Sequence, residues 1–261
     1  MVVAKEGLEP PKKGQLKTVF AALDVLEFLG AHEGFVRLTD VNTALGFPKG
    51  RVHRILSTLA ARDYVAQDPV SRGYALGVRT WLLGREARTV RSLVDLVQPE
   101  LDELCRISGE TSLLAILDDF SQITICTRRA SHPVHVFIRE GARAPIHATS
   151  SGKAMLALLG EDYLEALCNQ GLTKFTDRTI LDRQGLAREV EEARRRGFAR
   201  STDEWAEGLS AVAAACSDPA NRTPMAIAVC FPTGRVPEER IAELGELVRA
   251  KAEKVSRFLD S

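Results

Sequence analysis

Residues 38–76 constrain the fold most, because they predict a short helix, a tight turn, a second helix and a two-stranded hairpin in immediate succession. The apolar positions of the first helix are Val41, Ala44 and Leu45. Thr39 or Asp40 is expected to cap this helix, since a short side-chain oxygen accepts from the free N–H groups of a first turn. Gly46 is expected to end it. Pro48 then suits the first turn of the next helix, where its missing N–H would have no partner.

The second helix, predicted from Pro48 to about Arg62, has an apolar face and a basic face. Its apolar positions recur at helical spacing and predict burial in a core: Val52, Ile55, Leu56 and Leu59. At 100° per residue, the opposite face carries Gly50, His53, Arg54 and Ser57, with Lys49 and Arg51 free at the helix start. An α-helix fits the major groove of DNA, where Arg and Lys reach guanine and also neutralise phosphates.

The hairpin after this helix is predicted as strand, turn and strand at residues 64–68, 69–72 and 73–76. Arg72 falls where such a wing would touch the DNA backbone. An isolated amphipathic helix with a basic face is more often a solvated surface, but the ordered series favours a winged helix-turn-helix that reads double-stranded DNA. The expected DNA contacts are Lys49, Gly50, Arg51, His53, Arg54, Ser57 and Arg72.

The charge distribution agrees with this assignment although the 261-residue chain has no net charge. Residues 1–90 contain 13 Lys and Arg against 9 Asp and Glu, a net charge of +4, and the remainder carries −4. The basic excess therefore lies where the DNA-reading pattern lies, as an electrostatic footprint should.

Length and cysteine usage bound the class of protein. The chain is long enough for two domains with separate cores. Its five cysteines are scattered and form no C-x-x-C pair, which is typical of reduced cytosolic thiols. No apolar run approaches the roughly 18 residues of a membrane span, and no signal peptide is recognisable. The expectation is a cytoplasmic protein with no membrane partner and no cofactor.

Four segments are predicted along the chain: a flexible arm at 1–14, the winged helix-turn-helix domain at 15–78, a helical linker at 79–108 and a second domain at 109–261. Gly84 and Pro99 are expected to interrupt the linker and divide it into two or three helices. The linker is apolar on more than one side, which favours a partner chain against it. The alternative is that it packs only on its own second domain.

The second domain mixes strand and helix patterns. Strands are predicted at 113–117, 123–127 and 134–138, and helices follow at 152–159, 162–169 and 183–196. Strands return at 198–202, 210–215 and 225–231, and a helix closes the chain at 237–259. This mixture predicts an α+β domain with an antiparallel sheet and helices beside it.

A ligand site is predicted where Thr149, Ser150, Ser151 and Gly152 precede a helix. The free N–H groups of a helix start favour an anion such as a carboxylate, although ordinary capping without a ligand is the alternative. An apolar wall for the body of the ligand is expected from Met155, Trp205, Val229 and Phe231. Two of these are aromatic and offer flat faces to a ring. The alternative is that all four are ordinary core residues.

Three other interpretations have weaker support. Ser150 and Lys153 form an S-x-x-K pattern, which occurs in serine acyl-transferring enzymes, but the companion S-D-N and K-T-G patterns are absent. His132 and His135 are separated by Pro133, which disfavours a helix that would join them, so a loop pair and no metal site is expected. A purely structural DNA-binding protein is the third interpretation, and the large second domain argues against it.

With these motifs in place, the chain resembles the IclR family of bacterial transcriptional regulators over nearly its full length. The resemblance rests on residues 47–56, on Tyr74-Ala75-Leu76-Gly77 and on residues 145–154, from Pro145 through His147 to Ala154. Residues 203–208 resemble a further family segment, which adds Asp203 and Glu204 to the expected effector site. The resemblance implies a winged-helix domain, a GAF-like effector domain, and dimers that often pair into tetramers. It implies a ligand-responsive regulator, expected to repress a catabolic operon.

The chain departs from the family pattern in two places. Gly50 and Arg51 stand where reading helices of the family often have small hydroxyl residues, so Arg51 is a candidate for distinctive DNA specificity. The segment Ala228-Val229-Cys230-Phe231 is apolar where some relatives that bind small keto acids are serine-rich. That departure favours an aromatic carboxylic acid or related acyl compound as effector.

Overall fold

The computed structural model describes residues 14–217 and 223–260. Internal contacts divide the chain between Arg91 and Ser92 into two compact units, and each unit is described by itself. The predicted flexible arm lies, up to residue 13, outside the described residues. In the described ranges, no helix combines the length and the apolar character that a membrane crossing requires.

From residue 14 onward, where the structure describes it, the first unit contains four complete helices and a two-stranded hairpin. Its helices are α1 (Lys17–Gly30), α2 (Leu38–Leu45), α3 (Lys49–Ala60) and α4 (Val78–Arg85). Its strands, β1 (Val65–Gln67) and β2 (Tyr74–Leu76), pair antiparallel. This order confirms the predicted helix, turn, second helix and wing. The core that joins α1, α2, α3 and the hairpin consists of Ala21, Val25, Leu29, Val36, Val41, Leu45, Val52, Ile55, Leu56, Val65 and Tyr74.

The start of α2 differs from the prediction. Thr39 and Asp40 both lie inside the helix and neither is its N-cap. Asp40 instead accepts a hydrogen bond from the backbone N–H of Arg37 at 3.3 Å, so its carboxylate secures the start of the helix from the third helical position. Gly46 ends the helix as predicted, with the left-handed φ of 65° that glycine adopts without strain.

The linker forms α4 and then α5 (Arg88–Ser108), with the break between them at residues 86 and 87. The predicted interruptions at Gly84 and Pro99 are wrong, since both residues lie inside helices. Proline removes one backbone hydrogen bond, and packing on either side of Pro99 compensates for that loss. Val97 and Leu101 are buried in the second unit, and the carboxylate of Glu100 pairs with Lys254 at 2.5 Å and with Lys251 at 2.9 Å.

The second unit contains a six-stranded sheet in the order β5-β4-β3-β8-β7-β6, with every neighbouring pair antiparallel. Its strands are β3 (Thr111–Asp118), β4 (Ser121–Arg128), β5 (Arg143–Pro145), β6 (Ala199–Thr202), β7 (Leu209–Cys216) and β8 (Met225–Pro232). The strand predicted at 134–138 is wrong, because the edge strand lies at 143–145. Side chains hold the backbone of that segment instead: Thr111 donates to the carbonyl of Val136 at 2.8 Å, and Arg235 to that of Val134 at 2.7 Å.

Helices cover both faces of this sheet. One face packs against α6 (Ser150–Leu158), α7 (Glu161–Asn169) and α8 (Arg183–Arg196). The other face packs against the C-terminal part of α5 and against α9 (Glu238–Leu259). The second unit is therefore an α+β domain of GAF-like type, and with the helix-turn-helix unit it confirms the predicted fold class.

Side-chain size differs between the two faces of the sheet. On β8, Val229 and Phe231 face α5 and α9, whereas Ala228 and Cys230 face α6. The small side chains let α6 approach closely. At Gly152 in its first turn, an added Cβ atom would lie 2.2 Å from the carbonyl oxygen of Ile146, a contact that only glycine avoids.

Candidate DNA-reading surface and ligand pocket

The exposed face of α3 carries the predicted DNA-contacting residues. Val52, Ile55 and Leu56 on the opposite face are buried, as their spacing predicts. Five of the expected contacts are exposed on the helix: Lys49, Gly50, His53, Arg54 and Ser57. The hydroxyl of Ser57 donates to the carbonyl of Arg54 at 3.0 Å. The cationic groups at this surface therefore come from Lys49 and Arg54.

Arg51 is placed differently from the prediction. It is half-buried, its Nη2 donates to the carbonyl of Lys17 at 3.0 Å, and its guanidinium lies 4.7 Å from the centre of the Phe47 ring. A planar guanidinium stacks well on an aromatic face, which explains why the side chain folds back toward α1. The expectation that Arg51 is free is wrong.

The turn of the wing is held by its own side chains. The carboxylate of Asp68 accepts from the backbone N–H of Ser71 at 2.8 Å and from the Ser71 hydroxyl, and these bonds lower the pKa of the Asp68 carboxyl. Arg72 has a φ of 59°, and its N–H donates to the carbonyl of Asp68 at 3.0 Å. Its side chain remains exposed at the tip, where the prediction placed a phosphate contact.

A pocket of about 450 Å³, including its open mouth, lies between the sheet and the N-terminus of α6. One part of its wall is polar and comes from β4, β6 and the start of α6. The other part is apolar and comes from strands of the same sheet and from the loop after β6. The lining residues are Leu113, Gln122, Thr124, Ile138, Ala142, Ala144, Ala148, Thr149, Ser150, Ser151, Ser201, Trp205, Leu209, Ala211 and Cys230.

The start of α6 combines capping with pocket lining. The Thr149 hydroxyl caps the helix by accepting from the N–H of Gly152 at 3.2 Å, and the N–H of Ser150 donates to Oγ of Ser201 at 3.2 Å. Thr149, Ser150 and Ser151 line the pocket, whereas Gly152 packs against Ile146 outside it.

The predicted apolar wall is wrong in three of its four residues. Trp205 lines the pocket, but Met155 is buried in the helical layer, and Val229 and Phe231 lie on the other face of the sheet. Side chains of a strand alternate between the two faces of its sheet. A selection that starts one residue too late in the correct strand therefore names the side chains that point away from the pocket. The wall residues that sequence reasoning missed are Leu113, Leu209, Ala211 and Cys230. The alternation of large and small residues in β8 was the available signal.

Asp203 and Glu204 shape the loop that carries Trp205 and do not line the pocket. Asp203 has a φ of 56°, and its carboxylate accepts from the N–H of Gly208 at 2.8 Å and from the Thr233 hydroxyl at 2.7 Å. Glu204 is buried, and burial raises the pKa of its carboxyl although the neighbouring Lys153 ammonium lowers it.

The Lys153 ammonium is fully buried and lies between two carboxylates. Its Nζ is 2.7 Å from Oε1 of Glu204 and 3.1 Å from Oε2 of Glu189. Within the described ranges, no hydrogen bond joins Lys153 Nζ to the Ser150 hydroxyl. The Lys153 ammonium is directed at these carboxylates and not at Ser150, so this geometry does not supply the base that an S-x-x-K enzyme requires.

Two further expectations concern metal and thiols. Nδ1 of His135 lies 2.9 Å from the carbonyl oxygen of His132, which is the loop arrangement predicted for this pair. In the part of the chain that the structure describes, no group of three or more His, Cys, Asp or Glu side chains converges on a possible metal position. All five cysteines are free thiols, and three of them are buried.

Gln122 and Ser201 are polar pocket residues that sequence reasoning missed. Gln122 is 4% exposed, and its Oε1 lies 2.6 Å from the Ser151 hydroxyl and 3.3 Å from the Thr149 hydroxyl. No short motif marks either residue. Both reach the pocket through sheet pairing between segments that are distant in sequence.

Comparison with protein families and curated proteins agrees with both units. The model described as "Bacterial transcriptional regulator IclR C-terminal" matches residues 86–257, and the IclR helix-turn-helix model matches residues 18–69. Transcriptional repressor IclR of Escherichia coli (strain K12) is 30% identical over 98% of this chain and 96% of its own length. HTH-type transcriptional repressor AllR of Salmonella paratyphi A is 29% identical over 96% of this chain and 93% of its own length.

Solved structures share the same architecture. An IclR-type transcriptional regulator from Alicyclobacillus acidocaldarius has a TM-score of 0.84 and 27% identity, over 94% of this chain and 99% of that one. An IclR homologue from Microbacterium hydrocarbonoxydans, complexed with 4-hydroxybenzoate, has a TM-score of 0.80 over 93% and 99% of the two chains, and its 20% identity shows the fold alone. A helix-turn-helix unit, a sheet domain, two matching family models and repressor relatives along almost the full length place this chain in the IclR family, as a DNA-binding transcriptional regulator and not an enzyme.

Proposed function

We propose that the chain is a transcriptional repressor whose affinity for operator DNA is set by an aromatic carboxylic acid held in the pocket of the second unit. The observation that carries this proposal is the pocket itself, which joins the start of α6 to an apolar wall. Its curated relatives support repression, since they are named as the repressors IclR and AllR and as an acetate operon repressor.

The polar end of the pocket suits a carboxylate. N–H groups at a helix start and the helix dipole both favour negative charge, and the hydroxyls of Ser150, Ser151 and Ser201 lie at the same end. The apolar part suits a ring, because Trp205 offers a flat face and Leu113 and Leu209 exclude water. The 4-hydroxybenzoate in the Microbacterium homologue has this combination of carboxylate and ring.

DNA binding is proposed to use the exposed face of α3 together with the wing. Lys49 and Arg54 supply the cationic contacts, His53 and Ser57 lie beside them, and Arg72 reaches a phosphate. Arg51 contributes by fixing the start of α3 against α1. A symmetric dimer would present two such helices to a pseudo-palindromic operator.

The DNA contacts can be tested with single variants on duplexes selected from a random pool. Arg54→Ala is expected to weaken binding by about 1–3 kcal/mol if Arg54 reads a base, and to weaken all sequences equally if it holds phosphate. Arg62→Ala, which removes an exposed arginine just beyond α3, is the matched control. Fluorescence anisotropy provides the affinities. Equal affinities for wild type, Arg54→Ala and Lys49→Ala would contradict the assignment.

The ligand can be tested by calorimetry with benzoate and 4-hydroxybenzoate beside glyoxylate and pyruvate. The aromatic acids are expected to bind more tightly, and a bound acid is expected to change DNA affinity, because a ligand shifts DNA binding only when it prefers one arrangement of the protein. Preference for glyoxylate or pyruvate would contradict the aromatic assignment. No binding by any acid would contradict the anion site itself.

A further inference from the structure

We propose that the side-chain amide of Gln122 is the specificity-determining group that makes the pocket select a carboxylate over an uncharged headgroup. This inference rests on the proposed function, because it concerns the same pocket. Gln122 lines the pocket on β4 and is 96% buried, and it belongs to no motif of the chain.

The orientation of the amide follows from its contacts. The Ser151 Oγ atom lies 2.6 Å from the side-chain atom of Gln122 that faces it. That separation falls in the range of O–H···O bonds and is shorter than N–H···O bonds normally are. The facing atom is therefore the oxygen, Oε1, which also lies 3.3 Å from the Thr149 hydroxyl. The amide nitrogen, Nε2, points away from both hydroxyls.

The Nε2 group borders the open space of the pocket. Among the described residues, no acceptor lies within hydrogen-bonding distance and geometry of Nε2 of Gln122. Among the described residues, two side-chain atoms are both fully buried and without a hydrogen-bond partner, and they are oxygens of Glu100 and Glu204. Nε2 of Gln122 is not one of them, so it is not sealed inside packed protein. Because Gln122 lines the pocket, a bound ligand can accept the N–H bonds that the protein leaves unused.

A β-bulge places Gln122 on the correct face of the sheet. Leu114 pairs with Cys126 but the next residue, Ala115, pairs with Thr124, so Ile125 is an extra residue in β4. The extra residue changes the alternation, and Gln122 and Thr124 therefore line the pocket on the α6 side although Cys126 faces α5 and α9.

The consequence is a headgroup site that is rich in donors toward the ligand. In the first turn of α6, Ser150 and Gly152 already donate their N–H groups within the protein, which leaves the N–H of Ser151 for a ligand. The Ser201 hydroxyl keeps its own proton while it accepts from Ser150, and Gln122 adds its amide hydrogens. A carboxylate accepts from all of them, and hydrogen bonds to a charged acceptor are stronger than bonds to a neutral one. A primary amide headgroup has N–H groups of its own, and these would point at some of the donors of the site instead of at an acceptor.

The test is Gln122→Glu in the full chain. The introduced carboxyl keeps an oxygen for the Ser151 and Thr149 hydroxyls, so only the group that faces the ligand changes. The probes are the carboxylic acid that binds wild type most tightly and its own primary amide, for example benzoate and benzamide, titrated by calorimetry at pH 7 and pH 9. Gln170→Glu, which adds the same charge at an exposed site beyond α7, is the matched control.

Gln122→Glu is expected to lower the affinity for the acid about 10- to 100-fold and the affinity for the amide much less, so that the preference reverses. The loss should grow from pH 7 to pH 9, because a buried carboxyl can remain partly protonated at neutral pH. Melting temperature and DNA affinity report whether the variant is folded. If it does not fold, Gln122→Ala provides the second measurement, with an expected loss of about tenfold for the acid.

The outcomes separate this inference from the function on which it rests. If wild type and Gln122→Glu bind the acid with equal affinity, the role of Gln122 is overturned and the proposed function stays intact. Where Gln122→Glu does not fold, equal affinities of wild type and Gln122→Ala have the same meaning. If wild type binds no acid at all, the proposed ligand and the role of Gln122 both fail.

Discussion

At the residue scale, the ion pairs of Lys153 bury a charged ammonium completely inside the second unit. Lys153 is fully buried, and it contacts Glu204 and Glu189 across two different segments of the chain. Removing one member of a buried pair leaves an uncompensated charge, whereas replacing the whole pair by apolar side chains is often neutral. The Lys153–Glu204 pair connects α6 to the loop that carries Trp205.

Lys153→Met is expected to lower the free energy of unfolding by about 3–5 kcal/mol. The double variant Lys153→Met with Glu204→Leu is expected to recover much of this loss, because the one carboxylate that loses its partner, Glu189, is 43% exposed to solvent. Urea unfolding followed by circular dichroism measures both. Lys174→Met, which breaks the exposed pair with Asp177, is the control and should leave the urea midpoint almost unchanged. Lys153→Met and Glu204→Leu are also measured alone. A loss in the double variant as large as the sum of these two losses would contradict the coupling between Lys153 and Glu204.

His147 predicts how stability responds to acid. Burial lowers the pKa of its imidazole, and the ring nitrogen Nε2 lies 3.0 Å from the carbonyl oxygen of Thr173. The unfolded chain therefore binds a proton at a higher pH than the folded chain does, so stability is present above about pH 6.5 and is lost as the pH falls below it. The raised pKa of Glu204 acts in the opposite direction, so the contribution of His147 must be isolated by a difference.

His147→Gln is expected to flatten the fall in the urea midpoint between pH 7 and pH 5, because the buried titrating group is gone while an amide N–H can still donate to Thr173. His53→Gln, an exposed site on α3, is the matched control. If the urea midpoints of wild type and His147→Gln fall in parallel as the pH is lowered, burial of this imidazole does not govern acid stability.

At the element scale, the two faces of β8 perform different tasks. Phe231 is 1% exposed among the side chains of α5 and α9, whereas its neighbour Cys230 lines the pocket. Adjacent residues of one strand therefore face the core on one side of the sheet and the pocket on the other.

Phe231→Ala is expected to lower the free energy of unfolding by about 3–5 kcal/mol while the folded fraction keeps its affinity for the ligand. Cys230→Phe is expected to abolish ligand binding, because the added ring occupies the pocket, with the helix-turn-helix unit still able to bind DNA. Urea unfolding and calorimetry on both variants check the pair. Loss of ligand affinity in folded Phe231→Ala would place that side chain back in the pocket wall.

The elements differ in how far sequence alone predicts them. α3 and α8 were predicted to within two residues at either end, because helical spacing is a local property and their caps lie nearby. The face of β4 was not predictable, since the bulge at Ile125 decides which of its side chains meet α6, and for β8 only the alternation of large and small residues indicated the face. The continuation of α5 through Pro99 was not predictable either, because tertiary packing outweighs the local preference of proline to interrupt a helix.

At the scale of the whole molecule, α5 is the continuous connection between the two units, since it begins before Arg91 and ends within the second unit at Ser108. A ligand can alter DNA binding only if it has a different affinity for the DNA-competent and DNA-incompetent arrangements of the protein.

Self-association is predicted from the apolar residues that α4 exposes. Val78, Trp81 and Leu83 are each about 60% exposed in the single chain, and a symmetric dimer would cover such a surface. Analytical ultracentrifugation at micromolar concentration is expected to show a dimer or tetramer. Trp81→Asp with Leu83→Asp should shift it toward monomer and weaken operator binding, whereas Leu181→Asp, at an exposed apolar site of the second unit, should not. A wild-type monomer contradicts the prediction.

The thiol in the pocket wall has a consequence for the chemistry of sensing. Burial raises the pKa of Cys230 to about 12, so at neutral pH only roughly one thiol in 10⁵ is the nucleophilic thiolate. A thiol of this low nucleophilicity would not form a covalent bond with an acid in the proposed pocket, so binding there would stay reversible.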